Sequence, residues 1–211
     1  KTVFKLSKIS QNLISEDVQY RLFEKIKPIL QKSQILIFSD FNYGCLPQNV
    51  VDALTLIAKK RNILICADSE SSPQMGNVGR FKNMDLLTPT EYEARISTRN
   101  YQDGLVVLAE QLKKESSSKN ILLKLAEEGL LIHTGDMKKE GWLTDRIDAL
   151  NITPKDVAGA GDSLLITSAM TLAAKGNIWQ AAILGSLASA IQIGRVGNTP
   201  LKIKEIIKEI Q

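Results

Sequence analysis

DVAGAGDSLL, from Asp156 to Leu165, places two acids and two glycines directly before a long apolar run. Glycine is unfavourable inside a helix, and a lone buried aspartate costs stability. The stretch therefore reads as the lead-in to a helix over Ala160 to Lys175. Two readings of the lead-in stay open. In one, Gly159 and Gly161 adopt backbone angles closed to other residues, so that successive N–H groups face a single concavity. The free amides and dipole of the starting helix then favour a phosphate. Asp162 would lie in the first turn beside that anion. Like charges repel, so a carboxylate there suits a general base that takes the proton of an attacking alcohol. In the other reading, Asp162 or Ser163 simply caps the helix. Spacing alone leaves the two in balance. A dinucleotide fingerprint competes less well, because Leu164 stands where its third glycine belongs and no clear strand precedes it.

Upstream, apolar runs alternate with amphipathic segments. Ile35 to Ser39 and Ile63 to Ala67 read as buried strands, and Gln48 to Lys60 as a helix with apolar residues at helical spacing. Asp68 to Asn83 is rich in Ser, Gly and Asn and reads as a loop. Asp85 to Pro89 reads as a short strand, followed by a helix through Glu91 and Ala94 and another over Gln102 to Ser118. Ile121 to Leu125 and Leu130 to His133 read as paired strands across a turn, with His133 at a strand end. The last third reads as helices over Ala160 to Lys175, Ile178 to Arg195 and Leu201 to Ile210. The expected fold is an α/β three-layer sandwich: a mostly parallel central sheet, helices on both faces and a helical C-terminal part. Ligands in such sheets sit outside the carboxyl ends of the strands. The loops at Asp40 to Pro47, Asp68 to Asn83, Thr88 to Glu93 and Lys155 to Ser163 are therefore the ones expected to converge.

With 211 residues, 44% hydrophobic and 24% charged, the chain reads as one globular domain. The net charge of +4 is spread over solvated helix faces, and only 5% of residues are aromatic, which gives nucleic-acid binding no support. No apolar stretch reaches membrane-spanning length, and KTVFKLSKIS (Lys1 to Ser10) lacks the apolar core of a secretory signal. Cys45 and Cys66 match no metal or redox spacing. Reduced thiols and a cytoplasmic location are the expectation.

D-V-A-G-A-G-D-S before an apolar helix resembles the signature of the ribokinase-like (PfkB) carbohydrate kinases. The resemblance implies that Asp162 is the base on the sugar hydroxyl. It makes the amides of Ala158, Gly159, Ala160 and Gly161 the anion hole, and gives Asp156 a monovalent cation, K+. Ser39 to Pro47 and Ala67 to Glu70 resemble segments of heptose-7-phosphate kinases, the kinase half of ADP-heptose synthases, and offer Asp40 and Asp68 to the sugar. Leu86 to Ala94 resembles T-P-N-x-x-E, so that Glu93, with Thr90 in place of Asn, organises Mg2+ and phosphates. Leu123 to Gly129 resembles the T-x-G-x-x-G nucleotide loop, with Lys124 and Ala126 replacing its Thr and first Gly, and Gly129 kept. Ser186 falls where an Asn near the adenine is common. The implied activity is transfer of phosphate from ATP, with Mg2+, to a hydroxyl of a sugar or sugar phosphate.

Tyr43 and Glu70 replace two lysines of the heptose-phosphate pattern, which weakens the case for a phosphorylated substrate. Family members begin with a strand, a Gly-rich sugar-binding segment and part of a lid upstream of the point matching Lys1, and KTVFKLSKIS resembles the returning lid strand. The chain is thus expected to be one ribokinase-like domain, residues 1–211, lacking that N-terminal part. The missing part would leave a sheet edge to be covered by another chain, as in a homodimer. A fused or partner nucleotidyltransferase domain is the other expected association. A kinase-like binding or scaffold module without turnover is the alternative function.

Overall fold

Strand residues at i and i+2 share one face of a sheet, and in this chain both faces are apolar. In the computed structural model, which describes residues 12–70, 76–135, 141 and 143–211, six strands form one sheet. They are β1 (Ile35–Asp40), β2 (Leu64–Ser69), β3 (Leu86–Leu87), β4 (Asn120–Lys124), β5 (Leu130–Thr134) and β6 (Leu143–Ile147), arranged side by side in that order. β1 to β4 run parallel, and β5 and β6 are antiparallel additions. The helices are α1 (Glu16–Leu30), α2 (Gln48–Lys60), α3 (Glu91–Thr98), α4 (Leu105–Ser116), α5 (Ala160–Ala173), α6 (Ile178–Ile193) and α7 (Ile203–Ile210).

Ile65, Ala67, Leu87, Ile121 and Leu123 share one core with Val51 and Leu54 of α2 and Leu108 and Leu112 of α4. Their strand neighbours Cys66, Leu86 and Leu122 share a second core with Leu164 and Leu165 of α5 and Ala181 and Ala182 of α6. The alternation produces the expected three layers, with helices on both sides of the sheet. Burial and the nearby Asp85 carboxylate push the Cys66 thiol up to about 12, so it packs as a small apolar residue.

The structure differs from the sequence reading at several places. β2 runs on through Asp68 and Ser69, which pair with Ser39 and Asp40, because the backbone ladder continues past the apolar run. Of the loop expected after Ala67, Val78–Arg80 forms a single 3-10 turn, and residues 71–75 lie outside the described residues. The lid strand expected over Lys1 to Ser10 lies outside them too. Helix α1, with Pro28 inside it, packs Leu22, Phe23 and Ile26 onto the α2 side of the sheet. Strand β6 is exposed along most of its length, so it carries no apolar alternation to reveal it.

His133 lies inside β5, fully buried, rather than at a strand end. Its Nε2 is 2.8 Å from Glu110 Oε2 in α4, and its Nδ1 is 2.8 Å from Thr144 Oγ1 in β6. Burial pushes the imidazole pKa down and outweighs the opposing pull of Glu110. Burial also acts to raise Glu110, but His133, Lys113 and Lys114 hold that carboxyl below its ordinary value. A histidine with a depressed folded pKa binds fewer protons than the unfolded chain, so its contribution is complete above the unfolded value and lost as pH falls below it. The midpoint of urea unfolding should therefore drop between about pH 7 and pH 5.5, and His133→Gln should flatten that drop.

Candidate active site

The parallel strands end in polar residues on one edge of the sheet: Asp40 in β1, Asp68 and Ser69 in β2, Thr88 after β3 and Lys124 in β4. The N-terminus of α5 lies against this edge. Between them is a cleft of about 680 Å³, which brings together all the site residues expected from sequence except Asp156.

The cap position of α5 is Gly159, at φ 77°, and no side chain caps the helix. Asp162 and Ser163 thus do not act as the N-cap. Of the four residues expected to form an anion hole, two have engaged amides: Ala158 N donates to Asp156 Oδ1 at 3.1 Å and Ala160 N to Val157 O at 3.2 Å. The amides of Gly159, Gly161 and Asp162 have no protein acceptor among the described residues. Such amides at a helix start form a ready anion site. Asp162, half-buried in the first turn, faces the same cleft.

The loop is pinned from both sides. Asp156 Oδ2 accepts from Gly197 N at 3.0 Å, and the amides of Ala158 and Gly197 hold the Asp156 carboxyl below the usual range. Gln192, buried in the last turn of α6, donates from Nε2 to Ala158 O at 2.9 Å and to Gly197 O at 3.1 Å. Asp156 therefore shapes the loop from outside the cleft lining.

Thr90 and Glu93 form a capping box at the start of α3: Glu93 N donates to Thr90 Oγ1 at 3.2 Å, and Thr90 N to Glu93 Oε2 at 2.7 Å. Lys124 Nζ is 2.6 Å from Asp68 Oδ2. Burial opposes the charge on Lys124, but the carboxylates of Asp68, Glu93 and Asp162 outweigh it and hold the ammonium pKa above its ordinary value. Burial, reinforced by Glu93, pushes the Asp68 carboxyl up against the pull of Lys124. Asp40 lines the cleft with both oxygens engaged, by Arg80 Nη2 at 2.8 Å and by Asn42 N at 3.0 Å. Ala126 and Gly129 flank the 3-10 turn between β4 and β5, both at positive φ, and Gly129 packs so closely on Ile147 that a side chain would collide with its carbonyl. Ser186 reaches the cleft from α6.

Sequence reasoning missed one wall. Leu150, Ile152 and Pro154, in the segment after β6, line the cleft with Ala190 and Ile193 of α6. Asn151 Nδ2 donates to Ala190 O at 3.0 Å, and Lys155 N to Ile193 O at 2.8 Å, which fixes this irregular segment to α6. It has no periodicity by which to find it. Among the described residues no group of three carboxylate, histidine or cysteine side chains could cage a metal ion. Glu93, a single carboxylate at the cleft wall, instead fits Mg2+, which keeps its waters and is commonly held by one or two carboxylates together with substrate phosphates.

The profile of the pfkB family carbohydrate kinases matches residues 9–204. The chain belongs to that family. It is 25% identical over 211 residues to the bifunctional protein HldE of Geotalea uraniireducens, covering 99% of this chain and 41% of that protein. Against the bifunctional protein HldE of Campylobacter fetus it is 28% identical over 196 residues, covering 92% of this chain and 40% of that one. The chain thus spans about 40% of the length of these curated relatives. Among solved structures, it matches Escherichia coli phosphofructokinase-2 in complex with potassium at a TM-score of 0.75 and 18% identity, over 93% of this chain and 62% of that one. Thermotoga maritima ribokinase matches at 0.67 and 25%, over 87% and 58%. These neighbours bear out the ribokinase-like fold, and the pfkB pattern has a physical reason at two positions. Thr90, where the resemblance has Asn, is a residue type suited to the N-cap it forms on α3. Ala126 adopts φ 51°, the left-handed region that a glycine enters without strain.

Opposite outcomes are expected at two positive-φ positions. Gly159→Ala strains the backbone and drives a Cβ into the Asn198 side chain, and should lower urea stability by about 2 kcal/mol. Ala126→Gly should raise it by about 1 kcal/mol.

Proposed function

We propose that this chain is a phosphotransferase module that moves a phosphoryl group from ATP to a hydroxyl of a sugar or sugar phosphate. The observation that carries the reading is Asp162 in the first turn of α5, beside three amides without a protein acceptor among the described residues and inside a large cleft. Asp162 takes the acceptor hydroxyl proton as the new O–P bond forms and the bond to the ADP leaving group breaks. The Gly159 and Gly161 amides receive the charge that builds on the transferred group. Glu93, braced by Thr90, would hold Mg2+ through its waters, and the ion would supply charge neutralisation on the bound phosphates. Leu150, Ile152 and Ala190 provide an apolar wall for the adenine, near Ser186. Asp156 is assigned to a monovalent cation, in keeping with the potassium complex of the E. coli neighbour.

On the acceptor side, Asp40, Asp68 and Glu70 suit hydroxyl groups. The likeness of Ser39 to Pro47 and Ala67 to Glu70 to heptose-7-phosphate kinases, with the HldE matches, makes a heptose phosphate the first acceptor to try. An associated nucleotidyltransferase activity and a dimer are further expectations of the same reading. The Lys124–Asp68 pair inside the cleft favours a second reading, a kinase-like binding module without turnover.

ADP release from MgATP, measured with a panel of sugars and sugar phosphates including heptose 7-phosphate, separates the two. The kinase reading expects sugar-stimulated release that Asp162→Asn lowers about 10²- to 10⁴-fold while nucleotide still binds. No sugar-stimulated release with any acceptor, alongside retained nucleotide binding, leaves the binding module.

A further inference from the structure

Lys124 is the one basic side chain among the described residues that line the cleft. It is held inward, with the side chain 18% exposed and Nζ 2.6 Å from Asp68 Oδ2. A Cβ on Gly161 would stand only 3.2 Å from the same Nζ. Because position 161 carries no side chain, the ammonium rests against the turn whose Gly161 and Asp162 amides lack a protein acceptor among the described residues. A polyanion arriving there meets the field of Asp68, Glu93 and Asp162, which opposes it. One ammonium in direct reach of the turn offsets that field.

Resting on the kinase reading above, we propose that Lys124 is a phosphate-contacting residue that exchanges partners. It pairs with Asp68 as seen here, and donates from Nζ to the phosphoryl oxygens when nucleotide is bound. The exchange would release Asp68 Oδ2 to accept a hydrogen bond from the acceptor hydroxyl. Asp68 keeps a bond from Ser69 N to its Oδ1, 3.0 Å long, so its carboxylate stays oriented when Lys124 leaves. The competing role is that of a counterion which only neutralises Asp68.

A charge-neutral pair of substitutions separates these roles. Adenosine and MgATP are titrated calorimetrically into wild type, Lys124→Met, Lys124→Arg and the double variant Asp68→Asn/Lys124→Met, with thermal melts to confirm folding. The double variant has the same net charge at the pair as wild type and leaves no buried ion alone. Direct contact predicts that Lys124→Met and the double variant both lose about tenfold or more in MgATP affinity, the worth of one charge-assisted hydrogen bond. Adenosine affinity should stay unchanged in both, and Lys124→Arg should retain the preference for MgATP. Wild-type MgATP affinity in the double variant, or an equal loss for adenosine, overturns the proposal while the kinase reading stands. Failure of wild type to bind either ligand overturns both.

Discussion

A sheet covered by helices on both faces leaves no place in its middle for a charge, because an unpaired buried ion costs several kcal/mol or more. In β2, β3 and β4 this constraint is met strictly: Cys66, Ala67, Leu86, Leu87, Ile121, Leu122 and Leu123 are all fully buried. In β1 to β4 the charged side chains stand only where the covering layers part, at the carboxyl ends, and the buried His133 of β5 is held by Glu110 and Thr144. Because β1 to β4 are parallel, those ends lie along a single edge, and Asp40, Asp68, Thr88 and Lys124 gather there. The location of the cleft thus follows from strand direction together with burial.

The edge alone does not present free amides to the cleft; the turn before α5 does, and α6 holds it. Gly185 in α6 lies so near α5 that a Cβ would collide with Ser168 Oγ, and that hydroxyl donates to Ala181 O at 2.9 Å. This close helix pair carries Gln192 beneath the loop, where it holds the Ala158 and Gly197 carbonyls. Asp156 binds the amides of the same two residues. With carbonyl and amide both tied at position 158, Gly159 has little freedom to leave its left-handed conformation. The orientation of the free amides is therefore set by residues more than 30 positions away.

Where a segment had to bury a face, its sequence mostly revealed it; α1, which packs Leu22, Phe23 and Ile26 on the core, is the exception. The apolar runs of β1, β2 and β4 and the spaced apolar positions of α2 and α4 are direct consequences of the two cores. The glycines before Asp162 were legible for another reason, since few residues can adopt the angle at Gly159. Strand β6 and the segment through Leu150 and Ile152 were not legible. They are exposed or irregular, and hydrogen bonds to β5 and α6 decide their course. Composition likewise gave no sign that Asp40 would be engaged by Arg80, a partner 40 residues along the chain.

The departures from the family pattern are of two kinds, and physics separates them. Thr90 is of a residue type suited to N-capping, and its hydroxyl caps α3. The backbone of Lys124 belongs to the sheet, donating from its amide to Pro89 O at 2.8 Å and pairing with Leu130 in β5. Its side chain brings a cation into a cleft lined by acids. A largely buried ammonium is tolerable only beside an opposite charge, so Lys124 and Asp68 form one unit, and neither can be assigned a role without the other. The charge balance around α5 is set by this pair together with Glu93 and Asp162. Of the departures from the family pattern, Lys124 is the one that adds a cation to the cleft lining.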